Sequence, residues 1–299
     1  MSRARAPGKL VLSGAYAVLS GAPALVAAVD RYVLADTAQP ASFLTPEVRA
    51  AIGERPAPWF NADDLRENGQ KLGLGSSAAI LVASLAALEL EAEPALSDAA
   101  LCARVYERAL LAHRTAQGGG SGVDVAASAH GGVLAASRAN NELSLTPVTL
   151  PGALHFDVWA CSASASTAAF LALIAEFARR DPTQHRARIG AQAEAARAAL
   201  SAAESNDASA FVQAIARQVG TLTELGQAAG ANIVTPELSE LGKLAESLGS
   251  AFLPAGAGGG DVAYWVGLGP PPAEFGARAR ELGLARVPLR LAARGVHAV

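Results

Sequence analysis

Residues 73–90 limit what this chain can become more than any other stretch. Gly73-Leu74-Gly75-Ser76-Ser77-Ala78-Ala79 runs without interruption into an apolar stretch of helical character, Ile80 to Leu90. Glycine lets the backbone turn tightly and approach a ligand closely. The free amides of the following helix start point at the same spot, where the helix dipole favours an anion. The hydroxyls of Ser76 and Ser77 can bond a phosphate oxygen or a magnesium ion. The segment reads as a cradle for a nucleotide phosphate. It is not a GxxxxGK[ST] loop, and no GxGxxG follows a strand with a downstream acidic residue.

Three further segments carry the same chemistry. Ala6-Pro7-Gly8-Lys9-Leu10 leads to Gly14-Ala15-Tyr16, with Lys9 projecting as a cation from a strand start. Gln117-Gly118-Gly119-Gly120-Ser121-Gly122-Val123-Asp124 sets one carboxylate at a helix start, where an aspartate can also serve as a plain cap. Gly256-Ala257-Gly258-Gly259-Gly260-Asp261 lies between two short strands that a tighter turn could join. Arginine is the default cation here. The only lysines are Lys9, Lys71 and Lys243, and the first two lie in or beside glycine-rich motifs, as a need for a compact point charge would place them.

Composition excludes several classes. The chain has 299 residues, 51% hydrophobic and 17% charged, enough for one large core or two ordinary ones. Its net charge of -3 offers no basic surface for nucleic acid. Cys102 and Cys161 sit in apolar runs and read as buried reduced thiols, with no metal-ligand spacing of Cys or His. No run reaches the roughly 20 apolar residues of a membrane span, and the expected compartment is the cytoplasm. A monomer or homodimer is expected.

Periodicity predicts a hairpin from Leu10–Val18 and Ala24–Val33. Loop with short pieces of structure follows over 39–69. Helices are expected over 75–90, 98–116 and 123–129, then a strand over 133–137. Pro151-Gly152 is the boundary between residues 1–150 and 151–299. Beyond it come a strand over 155–161, helices over 167–179, 184–203, 208–229 and 236–248, and strands over 250–253 and 262–266. A helix over 274–282 and a last strand over 285–291 complete the pattern. Irregular mixing of helix and strand predicts an α+β fold.

Pro7-Gly8-Lys9, Gly73–Ala79 and Gly256–Asp261 resemble, in order and spacing, the three motifs of the GHMP kinases. Within that superfamily, the details resemble the phosphomevalonate kinase family. These are Ala112-His113 through Gln117-Gly118 to Gly120-Ser121-Gly122-Val123-Asp124-Val125-Ala126, then Gly258-Gly259-Gly260-Asp261, and Lys71 ahead of the cradle. The resemblance implies a two-domain fold, with a ribosomal-protein-S5-like N-terminal domain and a ferredoxin-like C-terminal domain. It implies ATP and Mg2+ as cofactors and phosphorylation of phosphomevalonate to diphosphomevalonate. A mevalonate or other small-alcohol kinase and a non-catalytic metabolite-binding regulator are the alternatives.

By the same resemblance Lys9 and Asp124 are catalytic, Asp124 as a base or as an orienting anion. ATP is expected on Lys71, Gly73, Leu74, Gly75, Ser76, Ser77 and Ala78. Magnesium is expected on Ser76 or Ser77, and the acceptor on His113, Ser121, Gly122, Gly258, Gly259 and Asp261. Ser164, Ser166 and Thr167 are read either as holding the acceptor's anionic end or as an ordinary helix cap. Ala15 and Leu253 stand where the family commonly has an acidic and a basic residue. The acidic magnesium ligand of mevalonate kinases falls on His113.

Overall fold

A computed structural model describes residues 1–67, 69–139, 142–163 and 166–299. In chain order the elements are β1 (Arg3–Ser13), β2 (Ala24–Pro40), α1 (Pro46–Ile52), β3 (Pro58–Asn61), β4 (Arg66–Glu67), β5 (Gln70–Lys71), α2 (Ser76–Ala92), α3 (Asp98–Gln117), α4 (Val123–His130), β6 (Val133–Ala139) and β7 (Glu142–Pro147). They continue with β8 (His155–Ala160), α5 (Thr167–Arg180), α6 (Pro182–Glu204), α7 (Ala208–Ala229), α8 (Pro236–Ser247), β9 (Ala251–Pro254), β10 (Val262–Gly267), α9 (Ala273–Glu281), β11 (Ala285–Val287) and β12 (His297–Ala298). The fold is α+β. No described helix is long and apolar enough to cross a membrane.

The chain divides into two compact units. The first holds Met1–Leu10, Val26–Leu134 and Leu289–Val299; the second holds Val11–Leu25 and Ala135–Pro288.

In the first unit β1 pairs with β12 and β2 with β3, both antiparallel. The last residues return to pair Ala298 with Ala4 and His297 with Arg5. Helix α2 is rich in Ala and Leu, good helix formers. Every residue from Ala78 to Ala87 is buried, the signature of a helix that is apolar all round. It packs against α1, α3 and α4. Helix α3 starts at Ser97, whose hydroxyl accepts from the Ala100 amide at 3.3 Å. It buries Leu101, Val105, Ala109 and Ala112, spaced three or four apart, so one stripe faces the core.

In the second unit an antiparallel sheet of order β11-β8-β10-β9 carries one side of a core. Trp159, Phe252 and Trp265 from the sheet meet Leu238 and Leu241 of α8 and Phe275 of α9. The Trp265 and Phe275 rings meet edge to face, 4.7 Å between centroids. Strand β7 follows β6. Helices α5, α6 and α7 begin at Ser166, Asp181 and Asp207, each of whose side chains accepts an amide of its helix's first turn. Ser166 therefore acts as a cap, while Ser164 lies outside the described residues.

Three local expectations change. The first strand stops at Ser13 rather than Val18, because Gly14 turns left-handed and Ala17–Ser20 coil into a 3-10 turn. Within 39–69, Thr45 caps a helix, α1, with Pro46 in its first turn. The last predicted strand ends at Val287, before Pro288, which has no amide to donate.

Candidate active site

The first unit gathers the site around one glycine. Lys9 leaves β1 half-buried. Its backbone amide donates to the Leu74 carbonyl at 2.8 Å, and its ammonium donates to the Gly73 carbonyl at 3.0 Å. Strand and loop are thus joined at both ends of one side chain. Gly75 follows with φ of +76°. A Cβ there would lie 3.0 Å from Lys9 Cγ, 3.3 Å from Lys9 Cε and 3.7 Å from Asp124 Cβ. The cation and the carboxylate therefore flank the same bare backbone position, which a side chain would block.

Gly75 is also where α2 begins, and no side chain caps that helix. Six other helices, α1, α3, α5, α6, α7 and α8, have a capping hydroxyl or carboxylate. The first turn's amides, those of Ser76, Ser77 and Ala78, have no intrahelical acceptor, because the ladder starts with Ala79 donating to Gly75 at 3.1 Å. Helix α4 likewise begins at a left-handed glycine, Gly122, without a side-chain cap. The two helices entered from glycine loops are thus left open at their positive ends.

Asp124 lies in the first turn of α4, its side chain 23% exposed, so it keeps one accessible side. Its Oδ1 accepts from the Val125 amide at 2.9 Å. Its Oδ2 stands 3.2 Å from Nε2 of His113, whose side chain is only 2% exposed. Burial works to raise the Asp124 pKa. The hydrogen bond and charge of His113, the charge of Lys9 and the Val125 amide outweigh it, and the carboxyl is held below its ordinary range. Burial works to lower the His113 pKa. The hydrogen bond and charge of Asp124 and the charge of Glu47 outweigh it, and the imidazole is held above its ordinary range.

Residues 66–132 match the family model "GHMP kinases N terminal domain", which spans the cradle, His113 and Asp124. The phosphomevalonate kinase of Streptomyces sp. (strain CL190) is 28% identical over 329 aligned residues, covering 86% of this chain and 87% of that protein. The chain is a phosphotransferase that carries a GHMP kinase N-terminal domain over residues 66–132. Two solved structures share its fold. The Lin0012 protein of Listeria innocua superposes with a TM-score of 0.85 at 23% identity, covering 99% of each chain. The Streptococcus pneumoniae phosphomevalonate kinase, in complex with phosphomevalonate and AMPPNP, does so with 0.80 at 18% identity, covering 97% of this chain and all of that one.

Within this kinase, Lys9, Gly73, Leu74, Gly75, His113 and Asp124 come together. Ser77 joins them through Gln117, whose amide nitrogen lies 3.5 Å from Ser77 Oγ and 3.3 Å from Glu47 Oε1. Lys71 stands exposed on β5, opposite Arg66 of β4. Ser121 is half-buried, its Oγ 3.5 Å from the Val123 amide. Gly258, Gly259 and Asp261 belong to the second unit. There Gly258 has φ of +79°, and a Cβ would stand 2.3 Å from the Ile233 carbonyl oxygen. The Gly259 amide donates to that same oxygen at 2.8 Å, and the Asp261 amide donates to Ala163 at 2.9 Å.

Glu47 and Gln117 had no role in the sequence reading. His113 and Gln117 are four apart on α3 and so share a face, which was a usable signal. Thr45-Pro46-Glu47 has the composition of a helix start, cap then proline then acid, within a segment rich in prolines.

Proposed function

We propose that this kinase transfers the terminal phosphoryl group of ATP to phosphomevalonate, giving diphosphomevalonate. An acceptor phosphate oxygen attacks the γ-phosphorus, and the bond from that phosphorus to the β,γ-bridging oxygen breaks. The observation that carries the reading is Asp124, held as a carboxylate between Lys9 and His113. A general base works best with a pKa near the operating pH, and these neighbours move Asp124 away from that. An alcohol acceptor must lose a proton. A phosphomonoester is already anionic, its second pKa being about 6, and needs positioning and charge neutralisation instead. The similarity to the Streptomyces phosphomevalonate kinase supports the same substrate.

In this mechanism the open amides of Ser76, Ser77 and Ala78 bind nucleotide phosphate oxygens. Lys9 neutralises charge that develops on the transferring group. Asp124 keeps Lys9 oriented and carries no proton in the step. Ser121 and Gly122 contact the acceptor, and Lys71 adds a cation near the nucleotide.

The residues fit a magnesium ion of the kind that keeps its waters. Among the described residues no group of three or more His, Cys, Asp or Glu could cage a metal. Magnesium in kinases is instead held by one or two protein oxygens together with substrate phosphates. Ser76 and Ser77 would supply those oxygens, and the ion would neutralise phosphate charge.

Transfer of label from γ-labelled ATP to phosphomevalonate, mevalonate, homoserine and galactose tests the reading. Turnover with phosphomevalonate far above the others is expected. Preference for an alcohol overturns it, and binding of a metabolite without turnover of any would replace it with a regulator.

A further inference from the structure

The His113 imidazole is buried, not on the surface to meet a substrate. We propose that His113 is a positioning residue for Asp124, holding one carboxylate oxygen so that the other side of the group faces Lys9. The proposal rests on the kinase reading above for its catalytic consequence, but not for the pairing itself.

Four observations converge on it. His113 Nε2 stands 3.2 Å from Asp124 Oδ2, within reach of a charge-assisted hydrogen bond. The imidazole is 2% exposed and comes from α3, a long helix capped at its start and packed on α1, α2 and α4. Its position is therefore set by the core and not by ligand. Asp124 sits in an eight-residue helix behind a run of glycines, a mounting that by itself gives the carboxylate little guidance. Finally, the charged groups facing His113 are Asp124 from α4 and Glu47 from α1, both acidic. Glu47 is itself 7% exposed. The charges of Asp124 and Glu47 thus act on His113, while that of Lys9 acts on Asp124.

When the ring is protonated, Nε2 carries an N–H that faces Asp124 Oδ2 from 3.2 Å. Gln117, one turn on from His113, contacts both Glu47 and Ser77. The carboxylate and the phosphate loop are thus referenced to the same face of α3. A misplaced reacting group costs on the order of 100-fold in rate, which is the scale of effect expected here.

The experiment compares His113→Leu and His113→Gln with wild type, using whichever acceptor turns over. Leucine fills the space without a donor. The glutamine amide reaches the place of Nε2 and can donate to Asp124. We expect kcat to fall about 100-fold in H113L with KM for ATP changing less than about threefold, and H113Q to recover to within about tenfold of wild type. Equal impairment of both variants, or near-normal kcat in H113L, would overturn the proposal.

A second measurement is independent of catalysis. The imidazole resonances of His113, assigned by their loss in H113Q, are followed by NMR against pH in wild type and in Asp124→Asn. The titration should move to lower pH in D124N, and an unmoved midpoint would overturn the pairing. If wild type transfers phosphate to no acceptor, the kinase reading fails while this titration still decides the pairing.

Discussion

The Tyr16 hydroxyl donates to the Ala257 carbonyl at 2.6 Å, so the turn after the first motif anchors the last glycine loop within the second unit. Burial pushes the Tyr16 phenol's pKa well up, so it stays a donor at any working pH. Tyr16→Phe keeps the ring and removes that bond. It should cost about 1 kcal/mol of stability, with faster amide hydrogen exchange across residues 256–260. Unchanged exchange there would show that the loop is held by other means.

Asp124→Asn should lower turnover by 100-fold or more while the protein still folds cooperatively, since the replacement is isosteric. Steady-state kinetics beside thermal denaturation measure both. Wild-type turnover in the variant would remove Asp124 from the mechanism.

Gly75→Ala places a methyl group 3.0 Å from Lys9 Cγ at a left-handed backbone position. Both effects oppose the folded form, and a loss of about 1 kcal/mol or more is expected. Because the strain falls on the cradle, KM for ATP should rise about tenfold or more, by analogy with the loss of a charge-assisted contact. A variant with native stability and native KM would contradict the close approach.

The Asp124–His113 pair makes stability depend on pH in a two-sided way. Asp124 is held below its ordinary 3.8, so its contribution is present above that value and is lost as pH falls through the folded-state pKa. His113 is held above its ordinary 6.5, so its contribution is complete below that value and is lost as pH rises through the folded-state pKa. The stability difference between wild type and D124N should therefore be largest between about pH 4 and 6.5 and shrink on either side. Urea denaturation across pH measures it, and a difference that grows toward pH 9 would reverse the assignment.

Ser77→Ala should weaken use of magnesium-ATP, seen as a raised magnesium requirement and KM at unchanged fold. An unaltered magnesium dependence would assign that contact elsewhere.

Much of the architecture was legible because its signals are local. Glycine loops feeding apolar helices marked α2 and α4, and cap residues such as Ser97 and Ser166 marked helix starts to within a residue. The meeting of Lys9 with Asp124 at Gly75 could be anticipated only through family resemblance, since 115 positions separate them in the chain. Glu47 was hidden for a different reason. Its importance comes from how α1 docks on α3, and no pattern within residues 39–69 encodes that neighbour. Strands β7 and β12 were missed because each depends on a partner strand rather than on its own alternation of apolar and polar residues.

The unbroken burial of α2 has a consequence for the ligand. A helix whose every side is wedged among neighbours has no slack to slide, tilt or unwind when a guest arrives. The donors at its start are preorganised before any encounter, so the nucleotide meets a finished seat and little ordering entropy remains to be lost on that side of the complex.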